Sequence, residues 1–383
     1  MRDRTAPGAH VRAIDPPARA TRGAAGARAA LRARAGAVAV AAATLVASLA
    51  GASAAAASGG RIAYTAGTDF ANVWTMNADG SGRAELGPGS HPVVSPNGAL
   101  VAASSVGEGG SPAGGIVLYP AAGEEPIPIP LNTADATALA FSPDSKYLAV
   151  ALTGEGGRGQ GLAVVDLETD AVTDVTSGTA EGASFNPAGG DELVFARDAS
   201  ASPRPKSPTN LYTWSPSGGP PKQITSDGRS LFPVWGAGYI AYDHQTPDRF
   251  DVGGNRLSEL QSQIWLRYPD GATHQLTHMR LGYLQVGLVP VAVSSTGSHM
   301  IAELEQQDIP MAYAVEVPDG RAHPLLPKAI SFADGITADG TRALVGRFYY
   351  GGQHNAILSV PFGGGRPTVL LMQNRVGELS WNE

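Results

Sequence analysis

Two short phrases alternate along this chain from residue 61 to its end, and their spacing limits the folds open to it. The first is a hydrophobic residue, then a turn, then an alternating strand. It reads "VVSPNGALVAAS" at Val93–Ser104, "AFSPDSKYLAVA" at Ala140–Ala151 and "SFNPAGGDELVFA" at Ser184–Ala196. It continues as "VWGAGYIAY" at Val234–Tyr242, "AVSSTGSHMIAE" at Ala292–Glu303 and "GITADGTRALVG" at Gly335–Gly346. Proline presets φ at the first central turn position, and Gly or Asp tolerates the next, so each phrase is a hairpin between two short strands.

The second phrase is a strand running into another turn, such as "VWTMNADG" from Val73, "LAVVDLETD" from Leu162 and "IWLRYPDG" from Ile264. Its seven instances start at Val73, Ile116, Leu162, Leu211, Ile264, Ala312 and Ile357, with gaps of 43 to 53 residues. A short strand such as "KQIT" (Lys222–Thr225) often follows. Each unit therefore holds four antiparallel strands, which is a β-propeller blade with a period of about 40–50 residues. The apolar spacing of three and four that a helical solenoid needs is absent from residue 61 onward.

Seven second phrases predict a seven-bladed all-β propeller of four-stranded antiparallel blades. Six blades, the alternative, would require about 54 residues each, a length only one gap approaches. The chain ends in "GELSWNE" (Gly377–Glu383), a first strand cut before its turn, and "GRIAYT" (Gly60–Thr65) is a second strand lacking its first. Pairing the two ends completes a blade and removes both exposed sheet edges. The residue before each turn is Val94, Phe141, Phe185, Trp235, Val293, Ile336 or Trp381, and the one before that is small or modest. Neighbours on a strand face opposite ways, so each innermost strand offers a large group to one adjacent blade and a small one to the other. The column reads as core packing, Trp235 and Trp381 included.

These turns resemble the TolB-like family of WD-like β-propeller repeats, whose blades carry a W/F-S-P-D-G turn. Phe141-Ser142-Pro143-Asp144-Ser145 matches best, Val94-Ser95-Pro96-Asn97-Gly98 is close, and Ile336-Thr337-Ala338-Asp339-Gly340 is partial. "VWTMNADGSG" (Val73–Gly82) is similar to that family's following strand. The resemblance spans 61–383 and implies the fold. Blade five departs from it, with "WGAGY" in place of the turn. TolB itself implies a separate domain before six blades, and none fits here.

Residues 58–383 are thus expected to form one propeller domain. Residues 1–57 carry eight Arg and two Asp, and include the uncharged run "AGAVAVAAATLVASLAGASA" (Ala35–Ala54). A basic stretch, an apolar run and an A-x-A site predict a secretory signal cut after Ala54, or else a membrane anchor. The expected location is secreted or cell-envelope, with no membrane span in the mature chain if the signal is removed. The remainder has a net charge of −13, which argues against nucleic acid as a partner. The absence of cysteine removes disulfides, thiolate metal sites and Cys nucleophiles.

Two connections between second and third strands are long: "RDASASPRPKSPT" (Arg197–Thr209) and "DHQTPDRFDVGGNRLSELQSQ" (Asp243–Gln263). With "HMRLGYLQVGL" (His278–Leu288), they are expected to crowd one sector of one face. Long loops on rigid scaffolds often carry function, so Arg204, Lys206, His244, Asp248, Arg249, Asp251, Arg280 and Tyr283 are candidate partner-binding residues. A second candidate is the central funnel, where His91, Glu181, Arg229, Asp334 and Glu378 lie near the starts of inner strands.

No catalytic motif emerges. "HQLTH" (His274–His278) falls at a strand end, where positions four apart are separated by about 13 Å. No G-x-S-x-G elbow is present, and "FGGGRP" (Phe362–Pro367) precedes no helix. The expected function is a secreted binding or scaffold propeller for a protein or cell-envelope glycan, with no cofactor apart from a role open to calcium. The alternative is a lactonase-like hydrolase or lyase with a metal or acidic site in the funnel.

Overall fold

The structure is a computed structural model, and it describes residues 60–67, 72–107, 112–154, 158–198, 208–246, 261–281, 285–306, 309–317, 319–327, 329–348, 355–373 and 375–382. These belong to one compact unit, Leu45–Glu383. Among the described residues every regular element is a β-strand.

The strands group in antiparallel fours, consecutive in sequence except where the two ends of the chain meet. Blade one joins the two ends of the chain: Val376–Asn382 is its inner strand, followed outward by Arg61–Ala66, Asn72–Asn77 and Ala84–Pro88. The inner strands of blades two to seven are Ser90–Val94, Asp135–Phe141, Ala180–Phe185, Ser230–Gly236, Gln285–Val293 and Ile330–Ile336. Each packs on the next, and Ile330–Ile336 packs on Val376–Asn382, so the circuit closes. The seven four-stranded units among the described residues are consistent with the number the spacing gives. In blade one Ile62 stands directly opposite Trp381 and Ala63 opposite Ser380, which is the expected terminal pairing. One parallel bridge, Ser262 with Gly287, links blades five and six.

The recurring turn has a chemical reason. In blade three the Ser142 hydroxyl donates to Asp144 Oδ1 (2.6 Å) and accepts from the N–H groups of Lys146 and Tyr147. Blade seven repeats this with Thr337, Asp339 and Arg342, and blade two with Ser95, Asn97 and Leu100. One hydroxyl thus satisfies backbone donors that a tight turn would otherwise strand in a buried place. Blade five needs no such group, because Gly236 pairs directly with Tyr239 across a two-residue turn.

The residues one before the anchors do more than leave room. The hydroxyl of Ser184 in blade four accepts the Trp235 N–H of blade five (3.0 Å), and Ser380 in blade one accepts the Val94 N–H of blade two (3.1 Å). Gly335 lies so close to Trp381 that a Cβ there would stand 3.1 Å from the Trp381 Cβ. Asn382 donates to the carbonyls of Ser95 and Pro96, tying the last strand to blade two.

Candidate functional site

Each inner strand slips register against its second strand a few residues before its anchor. An extra residue in one strand of an antiparallel pair leaves the ladder and its side chain is re-aimed. In blade seven that residue is Asp334, between the Ala333–Val345 and Gly335–Leu344 pairs. Blade one places Gly377 and Glu378 against the single Thr65, between the Val376–Ala66 and Leu379–Tyr64 pairs. Blade two has His91 and Pro92 at the same point, and His91 takes a φ of 49°. That is unfavourable for a non-glycine residue, and more so before proline. It is held there by Glu378, which accepts the His91 backbone N–H (2.5 Å) with one oxygen and meets Nε2 (2.8 Å) with the other.

These irregularities frame a cavity of about 620 Å³ where the inner strands of blades seven, one and two begin. We refer to this side of the ring as the leading face. Phe332, Asp334, Gly346 and Phe348 supply one wall, Thr65, Gly377, Glu378 and Leu379 the other, and Ser90 closes the rim. The two phenyl rings meet edge to face, with centroids 5.0 Å apart. Its volume lies in the range of small-ligand sites.

Burial dominates the electrostatics. It pushes the Asp334 carboxyl well above the usual range, the nearby Glu303 adds to the rise, and the Gly346 N–H (3.1 Å) opposes it. Asp334 still meets the cavity, but protein encircles it. Glu303, on the second strand of blade six (His299–Gln306), reaches the Ala333 N–H (3.4 Å); burial raises it to about 7, with a further push from Glu305. Burial also pushes Glu378 upward, but the bonds and charge of His91 outweigh it and hold that carboxyl below its ordinary value. His91 is raised in turn, chiefly by its bond to Glu378. One wall thus carries a carboxyl that burial disfavours as an anion, and the other a carboxylate that His91 stabilises.

Of the five funnel candidates, Asp334 and Glu378 line the cavity, and His91 is joined to it through Glu378. Glu181, raised by burial and by Asp198, belongs to blade four, and Arg229 to the turn before the inner strand of blade five; neither lines it. Among the described residues no group of three His, Asp or Glu stands close enough to hold a metal.

The candidates of the long connections divide differently. Arg204, Lys206, Asp248, Arg249, Asp251 and Tyr283 lie outside the described residues. Arg280 is exposed. His244 is largely buried on the second strand of blade five, with Nε2 3.2 Å from Asp227 and its ring 4.6 Å from that of Trp265. Burial pushes Asp227 up, but bonds from His244, the Arg229 N–H and the Ser230 hydroxyl prevail and bring it to about 2. The bases of both connections meet inner-strand starts: the Thr209 N–H donates to Gly228, and Ser262 bridges Gly287. They therefore share the leading face with the cavity.

Thr65, Phe332, Phe348 and Glu303 were not legible as site residues. Each reads as an ordinary strand position, and the bulges that gather them leave no mark in the period-two pattern.

Neither a scan against protein families nor a search of curated proteins gives a match. Solved structures do match. A puromycin hydrolase S511A mutant complexed with PGG is 15% identical, with a TM-score of 0.58, over 84% of this chain and 53% of that one. The β-propeller domain of the Trilobed protease from Pyrococcus furiosus, described as having an open velcro topology, is 14% identical. Its TM-score is 0.54, over 78% of this chain and 89% of that domain. TolB from Acinetobacter baumannii is 16% identical, with a TM-score of 0.49, over 84% of this chain and 66% of that one. The chain thus spans about half the length of the hydrolase and just under two thirds of TolB. At these identities the likeness shows the fold, which is a β-propeller.

Proposed function

We propose that this chain is an extracytoplasmic β-propeller that recognises a protein or a cell-envelope glycan through its leading face, as a binding or scaffold module. The observation that carries this reading is the gathering on one face of the cavity between blades seven and one and the bases of the two long connections. A rigid ring that presents irregular segments at one end is a common way to build a recognition surface. The basic leader and apolar run support export. The acidic body favours a partner other than nucleic acid.

The test uses the purified full-length chain with insoluble peptidoglycan, a soluble glycan panel and a fractionated envelope extract. Variants replace 199–207 and 247–260 with short Gly-Ser links. A control carries Glu168→Lys and Asp170→Lys in the turn between the third and fourth strands of blade three, at the other end of the blade. Retention by one of these materials, lost in the shortened variants and kept in the control, is the expected result. Retention that ignores the shortened connections, or release of soluble products from the glycan, would overturn the reading.

A further inference from the structure

We propose that the cavity between blades seven and one is a binding site for an organic cation, an ammonium or guanidinium group carried on an apolar stem. This rests on reading the leading face as the binding face, and names a ligand for one part of it.

Four observations converge. First, two acids from opposite walls, Asp334 and Glu378, line the same cavity, and among the described residues no Lys or Arg lines it. His91 engages both oxygens of Glu378 from the rim, and among the described residues no ion pair to Asp334 is found. Second, a third acid, Glu303, stands behind Asp334 and lends it negative charge rather than relief. Third, Thr65 is wholly buried, lines the cavity, and its hydroxyl has no hydrogen-bond partner among the described residues. A buried hydroxyl left unmatched beside a largely apolar cavity offers a hydrogen bond to a polar group that enters it, and its lone pairs accept from an N–H donor. Fourth, Phe332 and Phe348 give the wall that carries Asp334 an aromatic surface. Aromatic faces attract cations and also accommodate the apolar stem of an alkylammonium or alkylguanidinium group.

A neutral sugar would use the hydroxyl and the rings but leave the acids as costly as before. An inorganic divalent ion would need more ligands in reach than the described residues offer. An organic cation answers all four features: its donors reach Asp334 and Thr65, its charge offsets Asp334 and Glu303, and its stem lies on the rings. The titratable groups that face Asp334 are Glu303 from blade six and Glu378, with its His91, from blades one and two. Because a bound cation favours the ionised acid, and burial raises Glu303 to about 7, binding near pH 6.5 is expected to expel protons to solvent.

Agmatine and n-butylamine serve as probes, with n-butanol and glucose as neutral controls, against the full-length chain by titration calorimetry. Runs in phosphate and in Tris separate the heat of proton release. The expected result is saturable binding of the cations, with proton release, and none of the controls. Asp334→Asn keeps the shape and an acceptor for the Gly346 N–H, and is expected to weaken agmatine about tenfold or more, as befits a charge-assisted bond. Phe332→Leu, which removes an aromatic face and no charge, is expected to weaken it severalfold and guards against a folding defect in the first variant. Equal affinity in Asp334→Asn, binding of the controls alone, or no binding of either cation would overturn the proposal. The variants with shortened connections should bind agmatine normally, so loss of macromolecular recognition and loss of cation binding can be told apart.

Discussion

Glu303 offers the most quantitative test of how the ring handles buried charge. It reaches from blade six toward blade seven, is mostly buried, and has one long bond to the Ala333 N–H. Burial lifts its carboxyl from 4.5 to about 7. At 1.36 kcal/mol per pH unit, that gap corresponds to ~3 kcal/mol of differential stability. The sign follows from which state binds the proton more tightly. Between 4.5 and 7 the folded chain holds a proton that the unfolded chain has released, so stability falls as pH rises through this window. Below 4.5 the penalty is absent, and above 7 it is complete. Glu303→Gln keeps the shape and an oxygen for Ala333 but has no charge to bury, and it also relieves Asp334. Urea denaturation of both proteins at pH 4.5 and pH 8 checks this. The advantage of the variant over wild type should grow by ~3 kcal/mol from the lower to the higher pH. A difference that stays constant with pH would refute the assignment of a buried, elevated carboxyl here.

Two further outcomes follow from local geometry. Ser145 takes a φ of 62° where blades two, six and seven place Gly98, Gly297 and Gly340, so Ser145→Gly should stabilise the chain by about 1 kcal/mol in thermal denaturation. A loss of stability would show that the bond from the Asn97 N–H to the Ser145 hydroxyl outweighs the strain. His91 should titrate by NMR with a midpoint above 6.5 and fall back toward it in Glu378→Gln, because its elevation comes first from the bond to Glu378. The stabilisation from that pair is present below 6.5 and is lost as pH rises through the elevated midpoint. A midpoint indifferent to Glu378→Gln would contradict the pairing.

The fold was legible because it is written seven times. A hydrophobic anchor, a turn and an alternating strand recur every 43 to 53 residues, and drift in one copy, such as Gly236-Ala237-Gly238-Tyr239, is corrected by the others. The pairing of Ile62 with Trp381 was legible too, since an unfinished first strand and an orphaned second strand need each other. The site was legible in part. Asp334, Glu378 and His91 drew attention as polar residues near inner-strand starts, but their convergence depends on register slips that strand periodicity does not encode. Glu303 escaped notice because it sits on a second strand and reaches across a blade boundary, a contact set by packing rather than by sequence neighbours. The small residues before the anchors read only as spacers, whereas Ser184 and Ser380 also carry hydrogen bonds between blades.

Everything at the leading face depends on the last strand completing the first blade, since Gly377–Leu379 form one wall of the cavity. The chain has no cysteine, so Arg61→Cys with Asn382→Cys introduces its only two thiols, at positions that stand opposite each other in the closing ladder. Mild oxidation of the folded double variant, followed by proteolysis and mass spectrometry, measures the outcome. Near-complete joining of the peptides around 61 and 382, with no thiol left to titrate, is the result expected. Two thiols that stay freely reactive in the folded chain would contradict ring closure, and with it the cavity.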